Sequence, residues 1–128
     1  NNTLYLLAPE TLQLPDKDIA AYAAKGLKLI KISSEDDIPA GADFWFWTRI
    51  QKERFKNKED IAQLRGRYVV TPELLKKKGG PDTIILHPLP RVDEIDVRVD
   101  SDPRALYLRT QVANGYYLRM ALLSLVLG

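Results

Sequence analysis

Two short polar stretches hold the residue types best suited to chemistry. Thr48-Arg49-Ile50-Gln51 follows an aromatic run, and His87-Pro88-Leu89-Pro90-Arg91 follows the apolar Ile84-Ile85-Leu86. Arg49 and Gln51 stand two apart, so on an extended backbone their side chains leave the same side. A guanidinium fork grips a carboxylate or phosphate through two parallel hydrogen bonds, and a neighbouring amide can share that anion. The plainer reading makes Arg49 a surface residue paired with a glutamate. In the second stretch Pro88 and Pro90 have no N–H, so the loop offers carbonyl acceptors with few local donors competing for them. Such carbonyls suit an amide or amine donor. Either X-Pro bond can be cis at modest cost, which fixes a tight turn; the plainer reading is a stiff exit from a strand. His87 is the chain's only histidine, and histidine is the usual general base near neutral pH. No cysteine and no Gly-x-Ser-x-Gly elbow accompanies it, which favours a structural or hydrogen-bonding ring.

These stretches need a scaffold, and the sequence alternates strand and helix patterns at short intervals. Apolar runs predict strands over residues 3–8, 27–32, 43–48 and 82–86. Asp16 can cap a helix over 16–25 with Gly26 as its stop, and Glu35-Asp36-Asp37 suits a single helical turn. Residues 57–64 read as helical and 68–70 as extended. Thr71-Pro72-Glu73 opens a further helix that Gly79-Gly80-Pro81 closes. Pro103 begins a long helical segment to Leu127, interrupted at Asn114-Gly115. Beyond that break Tyr116, Met120, Leu123 and Leu127 share one face, widened by Leu122 and Val126. The pattern predicts an α/β fold, a three-layer α/β/α sandwich around a mainly parallel, Rossmann-like sheet, in one domain over 1–128. Ligands of such sheets bind outside the carboxyl ends of the strands. If 43–48 and 82–86 run parallel, the Arg49 and His87 stretches share one rim.

Composition narrows the function. Apolar residues make up 45% and charged residues 28% of the 128, ordinary for a globular fold. A net charge of +2 is too balanced to argue for nucleic acid or an anionic membrane. The absence of cysteine removes disulfides and thiolate metal sites and suits a reducing compartment. The last apolar run, 120–127, falls far short of the ~20 residues that span a bilayer. No glycine-rich phosphate loop and no metal-ligand spacing occurs. Lys76-Lys77-Lys78 reads as a solvated helix end. Trp45 and Trp47, alternating with Phe44 and Phe46, read as core packing rather than a base-stacking platform.

The blocks TRIQKERF (48–55), HPLPRVDEI (87–95) and VDSDPRALYLRTQVANGYYLRMALLSLVLG (99–128), in this order and spacing, resemble the aspartate-binding half of aspartate carbamoyltransferases. The weaker LYLLAPETLQLP (4–15) extends the resemblance over nearly the whole chain. Ornithine-specific relatives typically carry cysteine where Pro88 stands. The resemblance implies transfer of the carbamoyl group from carbamoyl phosphate to L-aspartate, early in pyrimidine synthesis, with no cofactor and no metal. It implies that Arg49 and Gln51 hold a substrate carboxylate. Pro88 and Leu89 would offer carbonyls to the carbamoyl amino group, with Leu89-Pro90 cis. Lys52, Glu53 and Arg54, which by themselves read as solvated or ion-paired, would lie in a mobile loop that helps close two domains over substrate. No catalytic residue is assigned, His87 included. A cytoplasmic homotrimer, with regulatory chains or fused pyrimidine enzymes, completes what the resemblance implies.

One part of the family pattern is missing. The Ser-Thr-Arg-Thr-Arg segment that binds phosphate in relatives, and the domain carrying it, do not occur here. The expectation is therefore an aspartate-binding domain without its N-terminal carbamoyl-phosphate domain and without its own first strand and helix. Such a piece is expected to be inactive alone and to expose an unpaired strand edge and an apolar helix face. Two alternatives are a non-catalytic amino-acid-binding or regulatory module of the same fold, and a carbamoyltransferase for another amino acid.

Overall fold

Among the described residues every strand pair is parallel, and each pair is joined through an intervening helix. The computed structural model describes residues 2–51, 55, 61, 64 and 66–128. These fall into two units, Asn1–Ala40 and Gly41–Gly128. The expected α/β class with parallel strands is what the structure has. Its hydrogen-bonded strands form two two-stranded sheets, one in each unit.

In the first unit β1 (Thr3–Leu7) pairs with β2 (Lys28–Ile32), from Thr3 opposite Lys28 to Leu7 opposite Ile32. The crossover is α1 (Asp16–Ala23), with Asp16 and Asp18 in its first turn, where the helix dipole favours anions. Asp16 is the first helical residue and not the cap, which is Pro15. Its carboxylate is drawn away by Lys31, whose Nζ lies 2.5 Å from Oδ1. The Gln13 amide ties the strand ends together, donating to the carbonyls of Ala8 at 3.3 Å and Ile32 at 3.4 Å. A 3₁₀ turn, Glu35–Asp37, stands at the expected helical turn, with Ser34 Oγ accepting from the Asp36 N–H.

In the second unit β3 (Phe44–Phe46) pairs with β4 (Ile84–Leu86), residue for residue. Between them lies α2 (Pro72–Lys78). Thr71 Oγ1 accepts from the Leu74 N–H at 3.1 Å, Pro72 fills the first turn, and the three lysines sit in the last. Gly79 follows because nothing larger fits: a Cβ there would come within 2.8 Å of the Leu75 carbonyl oxygen. The other edge of β4 bridges Ala105, the Ile85 N–H donating to the Arg104 carbonyl at 2.9 Å. Trp45, Val70, Leu75, Ile85, Ile95, Val99 and Tyr107 are buried. The aromatic strand is one-sided, since Phe44 and Phe46 are 64% and 62% exposed.

The long helix departs from expectation at its start and at its middle. Residues 103–109 are turns, the Ala105 bridge and a 3₁₀ turn over Leu106–Leu108, and α3 (Thr110–Leu127) runs unbroken through Asn114-Gly115. The Asp102 carboxylate accepts from the Arg104 N–H at 2.9 Å and grips its guanidinium, holding this stretch as a turn. A single interior glycine costs about 1 kcal/mol against alanine, too little to break an eighteen-residue helix. No side chain of α3 is buried. Among the described residues no helix is long and apolar enough to cross a membrane. Most of the expected helix over 57–64 lies outside the described residues.

Candidate functional site

Parallel pairing of β3 and β4 sends both chains out of the same end of the sheet. Trp47 extends the ladder, its N–H donating to the Leu86 carbonyl at 2.9 Å. Beyond it Arg49 and Gln51 are exposed, three and five residues past Phe46. Leu89 lies three residues past Leu86, the strand partner of Phe46. The two stretches singled out from sequence therefore leave adjacent strand ends. Lys52, Glu53 and Arg54 lie outside the described residues. Among the described residues no cluster of three His, Cys, Asp or Glu side chains could hold a metal ion.

The loop after β4 is built from an unusual backbone. The Leu89-Pro90 peptide is cis, and Leu89 has φ +51, a left-handed conformation that leucine rarely adopts. Among the described residues neither the Pro88 nor the Leu89 carbonyl accepts a hydrogen bond.

Three anchors hold this loop. The Gln111 amide, in the first turn of α3, accepts from the His87 N–H at 3.1 Å and donates to the His87 carbonyl at 2.9 Å. The Leu89 N–H donates to Nδ1 of His87 at 2.9 Å. Nε2 of that ring lies 2.7 Å from Oε1 of Glu94, and both side chains are buried, 1% and 3% exposed. That contact is a close electrostatic approach and not a linear hydrogen bond. Burial pushes the Glu94 carboxyl up, but the backbone N–H groups of Glu94, Val92 and Asp93, then the His87 ring, outweigh it and hold it low. The third anchor is Arg91, whose guanidinium binds both carboxylate oxygens of Asp100, with Nη2 at 2.6 Å from Oδ2. The Tyr107 hydroxyl donates to Asp100 Oδ1 at 2.6 Å. The Arg91 hydrogen bonds hold the Asp100 carboxyl well below its usual range, against a smaller upward push from burial. Burial, then the Asp100 carboxylate, pushes the Tyr107 phenol up.

His87 thus resolves as a structural ring. Its two nitrogens are turned to Leu89 and Glu94, both within the loop that the ring supports. Glu94, Asp100, Tyr107 and Gln111 went unremarked in the sequence. They stand seven to twenty-four residues from His87, and no helical or strand period links positions so far apart.

The chain is similar to known proteins along nearly its whole length. Residues 1–126 match the family model for the Asp/Orn binding domain of aspartate/ornithine carbamoyltransferases. Multifunctional protein CAD of Squalus acanthias is 42% identical over 98% of this chain, which spans 6% of that protein. The catalytic subunit of M. jannaschii aspartate transcarbamoylase superposes with a TM-score of 0.80 at 40% identity, covering 93% of this chain and 38% of that one. Aspartate transcarbamoylase from Trypanosoma cruzi, solved with carbamoyl phosphate and aspartate, superposes with a TM-score of 0.75 at 32% identity, covering 95% of this chain and 40% of that one.

Proposed function

The chain belongs to the aspartate/ornithine carbamoyltransferase family as its Asp/Orn binding domain, and from that membership we propose that it supplies the aspartate-binding half of an aspartate carbamoyltransferase. The reaction is carbamoyl phosphate plus L-aspartate giving N-carbamoyl-L-aspartate and phosphate, a step of pyrimidine synthesis. The aspartate amine forms the new C–N bond at the carbamoyl carbon, the C–O bond to phosphate breaks, and the amine loses a proton. Arg49 and Gln51 hold an aspartate carboxylate, the arginine as a bidentate fork. The Pro88 and Leu89 carbonyls accept from the carbamoyl amino group and so fix the plane of the electrophile. Lys52, Glu53 and Arg54 belong to a loop that closes over the substrates. One observation carries this reading: the parallel β3–β4 pair leads into Arg49 and into the Pro88-Leu89 carbonyls, which accept no hydrogen bond among the described residues, from adjacent strand ends.

Phosphate recognition falls to a carbamoyl-phosphate half that covers the apolar, uncovered α3. The reading extends to a cytoplasmic homotrimer, with regulatory chains or fused pyrimidine enzymes. Its similarity to a multifunctional protein supports the fused arrangement. The test is turnover by the complete protein that contains this chain, with aspartate and ornithine offered in competition. Carbamoyl-aspartate is the expected product. Carbamoyl-ornithine would overturn the acceptor assignment, and aspartate binding without turnover would point to a non-catalytic module.

A further inference from the structure

We propose that His87 is a positioning residue whose ring, oriented by Glu94, sets the direction of the Pro88 and Leu89 carbonyls, resting on the reading that those carbonyls accept from the carbamoyl amino group. A leucine at φ +51 does not hold itself there. What holds it is the bond from its N–H to Nδ1 of His87. Nδ1 accepts only while it carries no hydrogen, so the neutral ring's proton sits on Nε2. Glu94 Oε1 stands opposite that nitrogen, and its other oxygen is claimed by the N–H groups of Val92 at 3.2 Å and Asp93 at 3.1 Å. The carboxylate therefore has one oxygen left beside the ring, and its negative charge there favours a hydrogen on Nε2 through the close approach alone. Gln111 clamps the backbone of the same histidine, which stops the ring from moving with the main chain. The Glu94 charge thus favours the tautomer that leaves Nδ1 open to the Leu89 N–H, and the held peptide fixes the setting of the two carbonyls. The dyad acts on the substrate through the loop and touches no reacting atom.

Carbamoyl phosphate and acetyl phosphate differ in an amino group against a methyl group, so their affinity ratio reads the carbonyl–amino contact. The ratio is measured in the complete protein containing this chain, for the unsubstituted form and for three variants. His87→Phe keeps a ring without an acceptor and is expected to lower the ratio about tenfold, the worth of one well-made hydrogen bond. In Glu94→Gln the two backbone N–H groups retain the amide oxygen, which leaves the NH2 facing Nε2. That drives the ring proton onto Nδ1, against the Leu89 N–H, and lowers the ratio similarly. His87→Asn is expected to keep most of the ratio, because an Asn oxygen accepts from the N–H two residues on in an Asx-turn. Imidazole ¹⁵N shifts of the unsubstituted protein are expected to show the proton on Nε2, a readout that stands whether or not a variant folds. A proton on Nδ1, or a ratio unmoved in a folded His87→Phe or Glu94→Gln protein, overturns the proposal. Equal affinities in the unsubstituted protein would overturn the carbonyl–amino reading itself and this assignment with it.

Discussion

Gln111 completes the β4 ladder from outside the sheet: its side-chain amide pairs with both the N–H and the carbonyl of His87, at 3.1 and 2.9 Å. His87 is the first residue past β4, where no strand partner remains to satisfy its backbone. A buried peptide without partners is costly, so the amide at the head of α3 takes the neighbouring strand's place. The loop and α3 are thereby joined into one piece.

Gln111→Ala is expected to destabilise the second unit by about 2 kcal/mol, because it leaves two backbone groups unpaired where water has limited access. Gln111→Glu keeps the acceptor and loses the donor, so about half that cost is expected. Urea denaturation with an unchanged m-value checks both. Equal midpoints for all three proteins would show that the pairing contributes nothing.

Arg49→Ala in the complete protein should raise the aspartate KM by about 10–100-fold, the loss of charge-assisted hydrogen bonds to a carboxylate. Carbamoyl phosphate binding should stay within about twofold, since its recognition is placed elsewhere. Steady-state kinetics with each substrate varied in turn separates the two. A normal aspartate KM would remove Arg49 from the site.

Acid should unfold the second unit through Asp100 and Glu94. Both carboxyls are held below their ordinary values of 3.8 and 4.5 in the folded chain. A depressed carboxyl stabilises the fold above its unfolded value, and that stability is lost as pH falls through the lower folded one. Thermal midpoints should therefore hold at neutral pH and fall steeply below about pH 4. Asp100→Asn should lower stability at pH 7 by about 2 kcal/mol and flatten the acid limb. A limb equally steep in the variant would deny Asp100 its share.

The 128 residues alone are expected to turn over no carbamoyl phosphate, to bind an apolar fluorescent dye and to self-associate. Leu125, Val126 and Leu127 at the end of α3 are each about four-fifths exposed, a patch that solvent does not tolerate uncovered. Sedimentation velocity and dye fluorescence, with and without the carbamoyl-phosphate half supplied separately, test this. A monodisperse, dye-silent chain that gains nothing from that half would sink the covering role.

By itself the sequence determined the alternation of parallel strands and helices, the cap at Thr71 and the acceptor character of HPLPR. Each of these follows from neighbouring residues: apolar runs, a hydroxyl before a proline, and prolines without N–H groups. The resemblance carried by its motifs supplied the family and the cis bond. The local reading failed where the deciding contact was distant. Asp16 is not a cap because Lys31 takes its carboxylate, and residues 103–109 do not join α3 because Asp102 holds Arg104 in a turn. Aromatic residues at four successive positions left unmarked which face is inward, and only packing buried Trp45 while leaving Phe44 and Phe46 exposed. The surroundings of His87 were likewise decided by the fold. Its partners Glu94 and Gln111 reach it through the fold, and hydrogen bonds between distant residues have no period that a sequence can display.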